Sequence, residues 1–167
     1  METNHAAGQE SEESKMIVEL VAKFVDQELM PLEAAVIARE IKAEALKLLP
    51  EEEAPLLKKC KELGLWALDA PEELGGANLS ATTWMALNEE LGRTVTPFVF
   101  PPDSPNMHML LAVGTPEQKK KYLEPYAAGT AKSAIAISEP NAGGDPSGMI
   151  TRAEKVGDEW VSNGRKI

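Results

Sequence analysis

Cysteine occurs once in the 167 residues, at Cys60, which excludes an internal disulfide framework and any metal site built from several thiolates. Basic residues are the scarce charge. Seventeen Lys and Arg stand against 27 Asp and Glu, a formal charge of −10 that argues against nucleic-acid binding, because counterion release needs clustered cations. A phosphate-bearing ligand must then be held by local backbone donors. No apolar run reaches membrane-spanning length. The opening METNHAAGQESEES has no basic stretch followed by an apolar one, so it reads as a frayed tail over residues 1–14 and not as a targeting segment. The expectation is a soluble, cytoplasmic protein without nucleic acid or membrane span. Its 43% hydrophobic content is enough for a packed core.

Helical spacing dominates what is there. Ile17, Leu20, Val21, Phe24, Val25 and Leu29 predict a helix over 15–29 closed by Pro31. Good helix formers predict a second from Leu32 to Leu49. A third, short helix has Pro55 in its first turn and Leu56, Cys60 and Leu63 inward, with Gly64 as its left-handed cap. Cys60 reads as a buried structural thiol. The Gly75-Gly76 pair reads as a bend, and Ser80 as the cap of a fourth helix with Trp84, Leu87 and Leu91 inward. Asp103 or Ser104 caps a fifth helix carrying Met107, Leu110 and Leu111. In TPEQ, Thr115 and Gln118 have capping-box spacing, and that sixth helix is expected to stop at Pro125. His108 reads as a surface or half-buried imidazole, and Trp84 and Trp160 as packing residues.

From Ala131 the period changes to two, with Ile135 and Ile137 on one side of a strand and Ala134, Ala136 and Ser138 on the other. The turn-rich run SEPNAGGD follows. MITRAEKV and WVSNGRKI then predict a hairpin turning at Gly157-Asp158, with Asn163-Gly164 opening a further strand.

Three segments resemble the acyl-CoA dehydrogenase family. ELGLWALDAPEELGGANLS is similar to its Glu-Leu-Gly-Leu … Pro-Glu-Glu-x-Gly-Gly loop. GTPEQKKKYLEPYAAGTAKSAIAISEPNAGGD is similar to its Gly-Thr-x-x-Gln-Lys helix and Thr-Glu-Pro-x-Ala-Gly-Ser-Asp flavin loop. TRAEKVGDEWVSNGRKI is similar to its Thr-x-Ala … Asn-Gly-x-Lys hairpin. PPDSPNMHML also resembles a Pro-Asp-x-x-Asn-Met segment of a branch associated with longer or modified acyl chains. The resemblance implies a mainly α chain: a helical bundle over 15–130 followed by the first strands, 131–167, of an incomplete antiparallel β domain. It implies FAD as cofactor, an acyl-CoA oxidised to the 2,3-enoyl-CoA, an electron-transfer flavoprotein as acceptor, and a homo-oligomer or a complementing C-terminal half.

By the same resemblance Ile135, Ile137, Ser138, Gly143 and Gly144 meet the flavin, with Gly144 also near the substrate. Gly144 stands where the family usually has Ser, and Ser138 where Thr is commoner. Residues 98–110 read as core or as a border of the acyl-chain pocket. The base is expected in a C-terminal bundle beyond Ile167, so no catalytic residue is assigned, Glu139 reads as structural, and this chain alone is expected to be a poor catalyst. Two alternatives stay open: a non-catalytic subunit or remnant of the same fold, and an oxygen-using flavoenzyme such as an acyl-CoA oxidase, nitroalkane oxidase or monooxygenase.

Overall fold

The computed structural model describes residues 12–42, 47–102 and 105–167. The described residues are mainly helical, with one two-stranded antiparallel sheet among them, near the C-terminal end. The chain divides into two compact units, one reaching to Lys132 and the other Ser133–Ile167.

In the helical unit, α1 (Glu12–Phe24) runs without a break into a π turn (Val25–Leu29), a 3-10 turn (Met30–Leu32) and α2 (Glu33–Ile41). Pro31 therefore does not end the first helix as its missing amide suggested. The π turn closes with the Met30 amide on the Val25 carbonyl, five residues back, so the wider turn accommodates the ring that follows. The 3-10 turn then sends the Glu33 amide to the Met30 carbonyl. The bypassed Leu29 carbonyl accepts from the Thr96 hydroxyl at 2.8 Å, which satisfies a buried acceptor.

The same device recurs downstream. After α5 (Pro105–Val113), α6 (Pro116–Gln118) leads into a π turn (Lys119–Leu123), whose closing bond runs from the Glu124 amide to the Lys119 carbonyl. Pro125 then lies in the first turn of α7 (Glu124–Ala127), where no amide is required. The expected stop at Pro125 is thus corrected for the same reason as the stop at Pro31.

The second predicted helix is also shorter than expected. It ends at Ile41, residues 47–49 are not helical, and α3 (Pro50–Leu63) starts five residues before Pro55. The Glu52 carboxylate fixes that start by accepting from the Leu49 amide at 2.9 Å. Both its oxygens are also gripped by Arg39, at 3.0 and 2.8 Å, a two-pronged pair that ties α2 to α3. The Leu49 amide, then the Arg39 fork, hold Glu52 below the ordinary carboxylate range. Gly64 forms the left-handed cap as read, with φ 72°. Ser80 caps α4 (Ala81–Leu91) by accepting from the Thr83 amide. The expected caps Asp103 and Ser104, and all but the last three residues of the N-terminal tail, lie outside the described residues; those three begin α1.

Two apolar clusters hold this unit together. The first joins α1, α3 and α4 through Val21, Phe24, Leu56, Cys60 and Leu87. All three phenylalanines of the chain meet there, Phe24, Phe98 and Phe100, with ring centroids 5.5–5.7 Å apart. The second gathers Ala67, Ala70, Met107, Leu123 and Tyr126. Trp66 packs on both, and its indole N–H donates to the Ala127 carbonyl at 2.8 Å.

Candidate functional site

The second unit carries every residue that the resemblance assigns to the cofactor. Its sheet is the predicted hairpin, β1 (Arg152–Val156) and β2 (Glu159–Asn163), in the register Glu154 opposite Val161, with Gly157 in the left-handed region at the turn. Both strands are exposed at every position, and Trp160 is 69% exposed. The packing role read for Trp160 is therefore corrected: it lies across from Lys155 on an uncovered face.

Residues 131–138 form no strand ladder, because nothing among the described residues pairs along them. Nor do 164–167 form the further strand; instead the Ile167 amide makes one bond to the Ser138 carbonyl, at 3.1 Å. Ile135 and Ile137 are 57% and 54% exposed, and Ser138 is exposed beside them. The alternation in the sequence is real, but neither face of the segment is buried.

Glu139 is the opposite case. It is 3% exposed, and with Ala142 it makes up all that is buried in this unit. Its backbone closes a tight turn with Ala142, the two residues exchanging amide–carbonyl bonds of 3.0 and 3.1 Å around Pro140-Asn141. Its carboxylate accepts from the Ile150 amide at 2.8 Å, the Thr151 amide at 3.1 Å and the Lys166 ammonium at 3.0 Å. The Thr151 hydroxyl beside it, the Ile150 amide and Lys166 lower its pKa to about 2. A carboxylate held so firmly in its ionised form is a poor proton acceptor, which agrees with the structural role read for Glu139.

Lys166 was not singled out from the sequence. Its ammonium also donates to the Ile137 carbonyl at 2.9 Å and lies 3.4 Å from the Met149 sulfur. The clue was a lone Lys in NGRKI and a Glu directly behind the exposed Ser138, since a buried carboxylate needs a partner.

Gly143 and Gly144 have room around them. A β-carbon built on either would meet nothing within 4 Å, and neither backbone is left-handed. Other glycines have internal reasons: a β-carbon at Gly76 would stand 2.1 Å from the Ala70 carbonyl oxygen, and one at Gly164 2.1 Å from the Thr151 hydroxyl. Gly76 is thus a close-packed bend, as read. At Gly143 and Gly144 the chain's own fold does not demand glycine, and the open backbone there could admit a bulky or phosphorylated ligand. Just beyond, the Ser147 hydroxyl and amide hold Asp145 below its usual range, and the Asp145 carboxylate accepts from that amide at 2.9 Å.

The other candidate groups belong to the helical unit. Cys60 is fully buried and its thiol is pushed up to about 12 by desolvation, so it is inert. His108 is exposed and contacts Asp69 at 3.0 Å. No cluster among the described residues could hold a metal ion, and no described helix is long and apolar enough to cross a membrane.

Residues 11–130 match the family model described as "Acyl-CoA dehydrogenase, N-terminal domain". The chain belongs to the acyl-CoA dehydrogenase family. Among its relatives, (R)-benzylsuccinyl-CoA dehydrogenase of Thauera aromatica is 38% identical over 94% of this chain and 41% of its own length. The caffeyl-CoA reductase-Etf complex subunit CarC of Acetobacterium woodii is 34% identical over 93% of this chain and 40% of its own. A glutaryl-CoA dehydrogenase of Mycobacterium smegmatis, solved in complex with FADH2, superposes with a TM-score of 0.71 at 28% identity, over 93% of this chain and 38% of that one. The mainly helical fold of this chain is thus that of the family's N-terminal domain. The chain spans about two fifths of the length of the curated relatives it matches.

Proposed function

We propose that this chain supplies the helical domain (15–130) and the opening of the β domain (131–167) of a flavin-dependent acyl-CoA dehydrogenase that oxidises an acyl-CoA to its 2,3-enoyl-CoA. The reading rests most on one observation: an exposed segment, Ile135 to Ser138, is fixed from behind by Glu139 and Lys166 and runs on to two glycines whose surroundings are open. That arrangement suits a flat, anionic cofactor that must be met by main-chain donors in an acidic protein. Family membership and a relative solved with FADH2 support FAD as that cofactor.

In this reading Ile135 and Ile137 offer apolar surface to the ring system and Ser138 donates through its hydroxyl and amide. Gly143 and Gly144 let the backbone approach, with Gly144 beside the acyl-CoA. FAD held by these residues would supply the hydride acceptor. The residues of this chain orient and hold, since preorganised donors cost no rearrangement when charge develops. None of them is assigned as the base. The electron acceptor is an electron-transfer flavoprotein, in line with the Etf complex in the name of one relative, and the protein works in the cytoplasm as a homo-oligomer or with a complementing C-terminal part.

The test is anaerobic addition of acyl-CoA thioesters to the FAD-loaded full-length protein. Bleaching of the flavin bands, with electrons passed to an artificial acceptor, is the expected result. Peroxide formation in air at a comparable rate would assign an oxygen-using flavoenzyme instead, and no bleaching with any thioester would assign a non-catalytic subunit.

A further inference from the structure

We propose that Lys166 is a positioning residue: by donating to the Ile137 carbonyl while anchored on Glu139, it aims the Ser138 amide at the flavin. The proposal rests on the flavin reading above and adds the residue that enforces it.

The geometry follows from one peptide plane. The Ile137–Ser138 bond is trans, so the carbonyl and the amide proton point in opposite directions. Lys166 draws the carbonyl toward itself at 2.9 Å. The Ser138 amide must then point away from Lys166, and among the described residues it donates to no protein acceptor. The next plane is fixed as well, its carbonyl accepting from Ile167 at 3.1 Å and its amide donating to Ala142 at 3.0 Å. Ser138 is thus an exposed residue with a defined orientation between two pinned peptides. Among the described residues, nothing but Lys166 donates to the carbonyl of that first plane.

A lysine bound to a buried carboxylate has a simpler role, charge balance alone, and the two are separable. In the double variant, Glu139→Gln removes the need for a counter-charge, while Lys166→Met still leaves the Ile137 carbonyl without its donor. The full-length protein is compared as wild type, Lys166→Met, Lys166→Arg and the double variant Glu139→Gln with Lys166→Met. FAD affinity is read by titration and the flavin environment by its visible bands. Amide exchange over 134–142 is read in the cofactor-free protein, and circular dichroism checks the fold.

Lys166→Met is expected to weaken FAD binding about tenfold, the scale on which supporting hydrogen bonds act around bound metals, and to speed exchange over 134–142. Lys166→Arg should recover part of the affinity, and the double variant should stay weak. Wild-type affinity in Lys166→Met, or its return in the double variant, overturns the inference. If Lys166→Met fails to fold, the double variant, which buries no unpaired charge, decides. A wild-type protein that takes up no FAD overturns the flavin reading and this inference with it, an outcome visible before any variant is made.

Discussion

A β-carbon at Gly129 would stand 2.3 Å from the indole ring of Trp66, and Gly129 itself is left-handed, with φ 77°. The glycine follows α7, where the Trp66 indole N–H takes the Ala127 carbonyl and the Lys61 ammonium lies 4.1 Å above the ring. Gly129→Ala must therefore add a strained backbone to an overpacked contact. A loss of about 3 kcal/mol is expected in urea unfolding, the sum of the two effects.

Thr115 and Gln118 make both bonds of a capping box, at 3.2 and 2.9 Å. Thr115→Ala leaves the Gln118 amide without its side-chain acceptor. It should cost about 1 kcal/mol in the same assay, and Thr115→Ser should cost much less.

What the sequence made legible was local. The Thr115–Gln118 box, the Ser80 cap, Gly64 and the hairpin turn at Gly157 depend on residues a few positions apart, and each formed as read. Proline is an incomplete signal: the missing amides of Pro31 and Pro125 predict stops, yet a preceding π turn can accommodate each ring. The start of α3 was missed because it depends on Arg39 reaching Glu52, thirteen residues away. Around the candidate site, the exposed serine and the open glycines were legible as residue types. The pair behind them, 27 residues apart, was not, since no periodicity links a buried carboxylate to its distant donor.

The acid sensitivity of that pair has a definite sign. Glu139 titrates near 4.5 when free and at about 2 in the fold, so its bonds stabilise the folded state fully above the free value. That contribution fades as pH falls from about 4.5 through about 2. The amide resonances of Ile150 and Thr151, followed by NMR down that range, should shift together in the wild type. In Glu139→Gln the shared transition should vanish.

Gly143→Ala separates fold from ligand. With nothing near its β-carbon and no left-handed backbone, the variant should unfold within about 0.5 kcal/mol of wild type. FAD affinity should nonetheless fall, because the added methyl occupies the face the cofactor approaches. Gly144→Ser should be equally neutral for stability and should tighten acyl-CoA binding by restoring a hydroxyl.

The most direct measurement is hydrogen exchange of the full-length protein with and without FAD, resolved over 134–145. Slowed exchange at Ser138 and across Gly143-Gly144, with the outer face of α4 unchanged, is the predicted result. Full-length protein that binds FAD while this stretch exchanges as fast as before would contradict the placement of the cofactor.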